Sequence, residues 1–217
     1  MNTYIYIHVC CVNNWKEIFS NLLSNISKSG LYNKIKAIKC FILKENKEDL
    51  EIFNDEKIEI LGISDNLKLY EQVTLNFLYT HSLIEDFNVL YIHTKGVKHN
   101  NTNINVTDWV NYLIYFNILK HNVCINKLLD YDTVGVNLQK KPELHYSGNF
   151  WWARSTYIRK LDKCKYENYH SPEFWITEKK IGKYLSLWSS GVDHYNRRYE
   201  EHNFIDKMLK YEFVQGL

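Results

Sequence analysis

Proline and glycine are scarce in this 217-residue chain, which has 2 prolines, 8 glycines and no repeated or low-complexity segment. Domain boundaries usually fall in flexible linkers rich in such residues, so their scarcity favours one domain over 1–217. A run of about 18 apolar residues is also missing, and we therefore expect no membrane span. Because 45% of the residues are hydrophobic, the chain can bury one substantial core.

An excess of one charge is missing as well, since 27 basic and 25 acidic residues leave a formal net charge of +2. There is no basic amphipathic stretch and no zinc-finger or RNP-type pattern. These absences disfavour nucleic acids and anionic membrane surfaces as partners.

The five cysteines form no CxxC pair, which is typical of reduced thiols in a cytoplasmic protein. The first 15 residues lack the basic region and cleavage site of a signal peptide and favour a first strand instead. His8, Cys10 and Cys11 are close in sequence, but their spacing does not fit a zinc site. We predict core and strand-end positions for these three residues.

Several common catalytic motifs are absent. The chain has no GxGxxG and no GxxxxGK[ST], so the usual dinucleotide-binding and P-loop interpretations lose their main support. It also has no GxSxG elbow and no HExxH, which disfavours serine hydrolases and zinc peptidases.

Hydrophobic periodicity predicts an alternation of strands and helices. The predicted strands are 3–10, 35–43, 57–63, 88–93, 133–137 and 147–153. The predicted helices start near Asn14 and cover 67–84 and 108–129, and the remainder, 154–217, is predicted to be mostly helical. This order is typical of an α/β fold with a mostly parallel central sheet flanked by helices, here with a helical C-terminal segment.

Ligands of open α/β sheets bind at the carboxyl ends of the strands. The segment "HTKG" (93–96) follows a buried strand and is therefore placed at such an end. Lys95 can contact a phosphate, Gly96 lets the backbone approach a ligand, and His93 can bind a metal or a phosphate. The alternative is an ordinary strand end with a capping histidine and a solvated lysine.

The segment "HYSGNFWWAR" (145–154) compresses many chemically active residues into a short stretch. Adjacent tryptophans on a strand point to opposite faces, so one can fill the core while the other lines a pocket for a sugar ring. Gly148 and Asn149 would add backbone access and a bidentate amide. The alternative is aromatic core packing. The candidate residues of this segment are His145, Ser147, Gly148, Asn149, Trp151 and Trp152.

Two acidic segments complete the candidates. Glu173 in "SPEFWI" (171–176) lies beside aromatic residues and suits a general base, although it also fits a plain helix start after Ser171 and Pro172. The "DYD" segment, with Asp130 and Asp132, is a literal DxD. It precedes a predicted strand, at the wrong end of the sheet, which favours a structural turn.

Six segments taken together resemble a family of GT-A-type glycosyltransferases found in large DNA viruses and bacteria. The resemblance extends to the N-terminal domain of the multidomain algal-virus glycosyltransferase and, more distantly, to rhamnan-synthesis glycosyltransferase-like proteins. The segments are "YEQVTLNFLYTHS" (70–82), "VLYIHTKG" (89–96), "DWVNYLIYF" (108–116), "VGVN" (134–137), "HYSGNFWWA" (145–153) and "PEFWI" (172–176).

The resemblance implies a GT-A-like, Rossmann-like fold and a glycosyltransferase that uses a nucleotide-sugar donor, most simply UDP-linked. It implies a nucleotide-sugar-binding half (1–137) and an acceptor and catalytic half (138–217), in the host cytoplasm if the protein is viral. The donor would bind at Val12, Asn13, His93, Thr94, Lys95 and Gly96, and the sugar or acceptor at the 145–152 candidates.

Mechanistic roles also follow from the resemblance. Glu173 would deprotonate the acceptor hydroxyl in an inverting transfer, with Lys95 and His93 as the other catalytic residues. "HTK" stands where many GT-A enzymes carry a metal-binding DxD, yet it has no carboxylate. A Mn²⁺ or Mg²⁺ cofactor therefore stays open, with His93 as the first candidate ligand and Asp130 and Asp132 as the less favoured ones. Lys95 would otherwise stabilise the leaving diphosphate.

Two further alternatives stay open. One is a non-catalytic carbohydrate-binding domain, which would use the aromatic cluster but leave Lys95 and Glu173 without a role. The other concerns the C-terminal segment 190–213, whose basic side chains would either close over the diphosphate or form a solvated helix. Those side chains are His194, Arg197, Arg198 and His202.

Overall fold

A computed structural model describes residues 1–45, 50–165 and 169–216. The strands are β1 (Asn2–Cys10), β2 (Ala37–Leu43), β3 (Ile58–Ser64), β4 (Phe87–His93), β5 (Thr133–Gly135), β6 (Leu138–Gln139), β7 (His145–Tyr146), β8 (Trp151–Arg154), β9 (Lys183–Ser186) and β10 (Glu212–Gln215). The α-helices are α1 (Trp15–Lys28), α2 (Gln72–Ser82), α3 (Ile104–Ile114), α4 (His121–Lys127), α5 (Ser155–Ile158) and α6 (Ser171–Phe174).

Eight strands form one mixed sheet in the order β10-β9-β5-β8-β4-β1-β2-β3. The pairs β1–β2, β1–β4, β2–β3 and β5–β9 are parallel, whereas β8 runs antiparallel to β4 and β5, and β10 to β9. The short strands β6 and β7 pair separately. The predicted α/β fold with a mostly parallel central sheet flanked by helices is confirmed.

Each face of the sheet carries its own hydrophobic core. In β1, Ile5 and Ile7 pack into the core that contains α1 and α3, whereas Tyr4 and Tyr6 pack into the core beneath α2. Successive strand side chains point to opposite faces, and here both faces are covered by helices. The continuous apolar run "TYIYI" is therefore buried on both sides.

The adjacent tryptophans of β8 divide between these two cores, as the strand period predicts. Trp152 donates its Nε1–H to the Asn117 carbonyl at 2.8 Å. Trp151 stacks on Tyr91 with ring centroids 4.9 Å apart. Both indoles are fully buried, so each contributes the large apolar area that stabilises a core.

The C-terminal third corrects the prediction of a mostly helical segment over 154–217. Its helices α5 and α6 have 4 residues each, and strands β9 and β10 extend the sheet. The cause is tertiary, because Tyr184 and Leu185 are buried between β5 and β10. Short apolar runs of this kind have no period that separates a strand from a helix.

Other element boundaries also differ from the predictions. The predicted helix 108–129 starts earlier, at Ile104, and a π-helical turn (Tyr115–Leu119) separates α3 from α4. The predicted strand 147–153 starts only at Trp151, because Gly148 (φ +97°) and Asn149 (φ +54°) form a left-handed turn. No helix in the described parts of the chain is long and apolar enough to cross a bilayer.

Replacing Gly148 by alanine should lower the free energy of unfolding by about 2–4 kcal/mol, from the left-handed backbone and from overpacking. The new Cβ would lie 2.7 Å from Leu113 Cδ1 and 3.2 Å from Trp109 Cε2. Gly30→Ala is the matched control, since Gly30 also has a positive φ but has no atom within 4 Å of the new Cβ. It should lose only about 1–2 kcal/mol in urea unfolding, and equal losses would contradict the packing argument.

Candidate active site

A cavity of about 390 Å³ opens at the carboxyl ends of β1 and β4. Its walls come from the loops after these strands, the segment before α2, helix α3, the Gly148–Asn149 turn and the start of α6. Eight of the residues proposed from sequence line it: Val12, His93, Thr94, Lys95, Gly96, Gly148, Asn149 and Glu173. Open α/β sheets bind their ligands at these carboxyl ends of the strands.

Thr94 ties the two strand ends together rather than pointing a free hydroxyl into the cavity. Its Oγ1 accepts the Cys10 backbone N–H at 3.0 Å, and its own N–H donates to the His8 carbonyl at 3.0 Å. Asn13 is not in the cavity wall, but its side-chain amide donates to the Val97 carbonyl at 2.7 Å. Both residues therefore hold the loop that carries Lys95 against the end of β1.

Lys95 places a cation at the cavity wall. Its Nζ lies 3.7 Å from the centre of the Trp109 ring, a cation–π contact. Among the described residues no carboxylate lies within salt-bridge distance of this ammonium. Burial lowers the pKa of Lys95, while the carboxylates of Glu173 and Glu71 oppose that effect from a distance. The lysine is thus positioned by an aromatic face and keeps its hydrogen-bond donors for a ligand.

Three titratable side chains converge on the turn between β7 and β8. Glu173 Oε1 accepts the Gly148 N–H at 2.9 Å, and His93 Nε2–H donates to the Gly148 carbonyl at 3.2 Å. Asn149 Nδ2–H donates to Glu71 Oε2 at 2.6 Å. The turn's backbone and side chain are therefore fixed by groups that also face the cavity.

The histidines at the strand ends are held neutral. Burial lowers the pKa of His93 to about 3, with the nearby Lys95 cation as the second cause. Burial likewise lowers the pKa of His8 to about 4. His8, predicted as a core or strand-end residue, is buried, hydrogen-bonded to Thr74 Oγ1 at 2.8 Å, and also lines the cavity.

Sequence reasoning missed several cavity residues. Glu71 and Trp109 lie within segments that carried the resemblance, but neither follows a strand, so no local signal marked them. Tyr195 reaches the cavity from the C-terminal segment and packs edge-on against Trp109. Tyr169, in contact with Lys98, closes another side.

Some predicted residues lie outside the cavity wall. The fully buried indoles of Trp151 and Trp152 cannot form a sugar platform, because both are consumed by core packing. His145 is buried and donates Nδ1–H to the Glu143 carbonyl at 2.7 Å. Ser147 is bound through its backbone N–H to the Asn137 carbonyl. Of the candidates in 145–152, only Gly148 and Asn149 line the cavity.

The DxD segment directly precedes β5 and so lies at the amino-terminal end of this interior strand, the wrong end of the sheet for the cavity. Asp132 forms an ion pair with Arg154 and accepts the Lys183 N–H at 2.9 Å. Asp130 is exposed in the turn before β5. β5 runs in the same direction as β4, and both residues precede β5. They therefore lie at the opposite end of the strands from the carboxyl end of β4. Their role is that of a helix-to-strand turn.

The C-terminal basic residues neither close over the cavity nor form a solvated helix. Buried His194 stacks under Trp109, with ring centroids 5.1 Å apart, and Arg198 makes a bidentate contact with Asp108 at 2.8 and 3.2 Å. Arg197 and His202 are exposed. These four side chains lie outside the cavity wall, and the segment packs against α3 while Tyr195 alone among 190–213 reaches the cavity.

The carboxylate and imidazole side chains of Glu71, Glu173 and His93 at the cavity already have hydrogen-bond partners within the protein. Glu71 Oε2 accepts two hydrogen bonds, Glu173 Oε1 accepts one, and His93 Nε2–H donates to a carbonyl. No group of three or more His, Cys, Asp or Glu side chains in 1–45, 50–165 and 169–216 is arranged to hold a metal ion. These three side chains are thus held by protein partners and are not arranged as a set of metal ligands.

Two solved structures show distant likeness to this chain. A candidate nucleotide-diphospho-sugar transferase from Desulfovibrio desulfuricans G20 has 10% identity and a TM-score of 0.47, covering 87% of this chain and 81% of its own. HddC from Yersinia pseudotuberculosis has 12% identity and a TM-score of 0.49, covering 87% of this chain and 91% of its own.

No curated protein matches the sequence. A family model described as "Domain of unknown function (DUF8361)" matches residues 17–197, which is most of the chain. The chain belongs to the DUF8361 family.

Proposed function

We propose that this protein is a glycosyltransferase that moves a sugar from a UDP-linked donor to a hydroxyl acceptor. The observation that carries the proposal is the pairing, in one cavity, of a lysine seated on an aromatic ring with a half-buried glutamate anchored to a turn. Lys95 supplies positive charge for a diphosphate, and Glu173 supplies a base. The sequence resemblance to GT-A-type glycosyltransferases supports the same assignment.

The donor side of the cavity is formed by the strand ends. A volume of about 390 Å³ is of the order of ligand sites for small molecules. Val12, Leu43 and Leu67 provide an apolar wall for the nucleoside. Lys95 faces the diphosphate. Its ammonium group stabilises the negative charge that develops on the diphosphate as the bond to the sugar breaks. The 1–137 half thus supplies most donor contacts.

The transfer step uses residues of the 138–217 half. Glu173 takes the proton of the acceptor hydroxyl, whose oxygen attacks the anomeric carbon while the carbon–oxygen bond to the diphosphate breaks. The Gly148 N–H on Oε1 orients the carboxylate, and Oε2, which lies 3.7 Å from His170 Nδ1, is the oxygen that takes the proton. With a single base and no covalent intermediate, the configuration at the anomeric carbon inverts. Neutral His93 keeps the Gly148 turn in place throughout.

Removing the Lys95 cation should weaken binding of uridine diphosphate. We expect Lys95→Ala to raise the Kd about 10- to 100-fold, the loss of one charged hydrogen bond, in calorimetry with EDTA present. Lys210→Ala is the matched control, because Lys210 also lies over an indole, 5.1 Å from the Trp188 ring, but outside the cavity. An unchanged Kd for Lys95→Ala would remove this residue from the donor site.

Glu173→Gln should keep donor binding and lose about 10²- to 10⁴-fold in kcat, since the amide cannot accept a proton. The readout is transfer, or slow hydrolysis, of a UDP-sugar followed by release of uridine diphosphate. Exposed Glu178, one turn further on and outside the cavity, gives the control Glu178→Gln, which should be unaffected. Full activity of Glu173→Gln would exclude it as the base. Binding without any turnover by the unaltered protein would favour the carbohydrate-binding alternative.

A further inference from the structure

A second lysine lies at the cavity wall without a role in the proposed transfer step. Lys98 belongs to the 3₁₀ turn Val97–His99 that follows β4, three residues after Lys95. Its Nζ donates to the Tyr169 hydroxyl at 2.7 Å and lies 4.0 Å from the centre of the Tyr169 ring. The ammonium group is therefore held at one place, although the side chain is exposed.

The two lysines have the same kind of support. Lys95 Nζ lies over the indole of Trp109. Tyr169, which supports Lys98, packs edge-on against Tyr70 with ring centroids 5.5 Å apart. An aromatic face holds a cation without neutralising it, and a side chain that is already positioned loses less conformational entropy when a ligand binds. Both ammonium groups are thus in place before a ligand arrives.

Neither ammonium group is neutralised by an acid. In the ranges that the structure describes, the lysines with a carboxylate partner are Lys39, Lys179 and Lys180. Burial lowers the pKa of Lys95, and the nearby Lys98 cation lowers it further. Two cations that repel each other and have no carboxylate partner are stabilised by an anion that contacts both. The pair is therefore suited to an anionic ligand.

Lysines outnumber carboxylates at the cavity wall. Lys68, from the turn before α2, is a third lysine, whereas the acids of the wall are Glu71 and Glu173. A diphosphate carries a negative charge on each phosphate. With Lys95 as the one contributing lysine, the charges of the diphosphate and of both acids would exceed the positive charge that faces them. A second lysine at the diphosphate reduces this imbalance.

We propose that Lys98 is a second phosphate-binding residue, and that Lys95 and Lys98 each bind one phosphate of the donor diphosphate. This inference rests on the proposed donor site. A lysine ammonium group has three N–H donors. Tyr169 takes one of those on Lys98, which leaves the others for phosphate oxygens. A nucleotide with a single phosphate reaches one lysine of the pair, so the pair selects nucleoside diphosphates over monophosphates.

Replacing Lys98 by methionine keeps the length of the side chain and removes its charge. We expect Lys98→Met to raise the Kd for uridine diphosphate about 5- to 20-fold in calorimetry, less than Lys95→Ala because Lys98 is more exposed. Lys98→Arg keeps the charge and should stay within about threefold of wild type. Lys127→Met is the matched control and should bind normally, because Lys127 also lies over a tyrosine, 4.7 Å from the Tyr211 ring, but outside the cavity.

Two further measurements separate a phosphate contact from mere support of the cavity wall. The wild-type Kd for uridine diphosphate should rise with salt concentration, and this rise should be smaller in Lys98→Met, because one ion pair with the ligand is missing. Wild type should also bind uridine monophosphate at least about tenfold more weakly than uridine diphosphate, because one charged hydrogen-bond contact is lost.

The outcomes distinguish this inference from the proposed function. If Lys95→Ala is impaired but Lys98→Met binds like wild type, the role of Lys98 is refuted and the donor site stands. The same holds if Lys98→Met keeps the full salt dependence, or if wild type binds both nucleotides equally well. A wild-type protein that does not bind uridine diphosphate at all would instead refute the proposed function, and the role of Lys98 with it.

Discussion

The parallel pairing of β1 with β4 is the interaction on which the site depends. In this register His8 lies beside His93. Thr94, the next residue, donates its N–H to the His8 carbonyl and accepts the Cys10 N–H on its hydroxyl oxygen. Both strands are covered on both faces, so neither can slide without exposing a core. The fixed register therefore sets where the chain leaves the sheet after β4, and the segment 94–99 that follows forms part of the cavity wall.

The Gly148–Asn149 turn converts this rigid edge into a site. Glycine is required at position 148 because the backbone there is left-handed and helix α3 leaves no room for a Cβ. The turn exposes an N–H, a carbonyl and an amide side chain together. Glu173, His93 and Glu71 each take one of these groups. The charge in the cavity and the conformation of the turn are therefore coupled, since replacing Glu71 or Glu173 removes a hydrogen bond that holds the turn.

Aromatic residues make up 15% of the chain, and most of that content stabilises the fold instead of lining a ligand site. The β8 tryptophans are the clearest example, one in each core. The cavity obtains its aromatic walls from elsewhere, with Trp109 on α3 backed by His194 and edged by Tyr195. That stack gives Lys95 a flat, apolar support, which holds a cation without neutralising it.

Local sequence was sufficient for the features that local chemistry controls. The strand and helix alternation, the opposite faces of Trp151 and Trp152, the structural character of the DxD turn and the position of 93–96 at a strand end all follow from period and order along the chain. Lys95 and Glu173, which line the cavity, were selected as candidates in the same way. Lys95 follows a predicted strand, and Glu173 lies at a predicted helix start.

Only the tertiary structure decided which side chains share the cavity. Glu71 precedes α2 and Trp109 lies within α3, so their places depend on how those helices pack against the sheet. The C-terminal strands formed because the edge of β5 and the hydrophobic core were available to bury Tyr184 and Leu185, which no periodicity along the chain records. The sequence by itself determined the alternating strands and helices up to β5 and the strand ends at which the cavity lies. Long-range packing decided the partners at those strand ends, because contacts between residues far apart in the chain leave no local pattern.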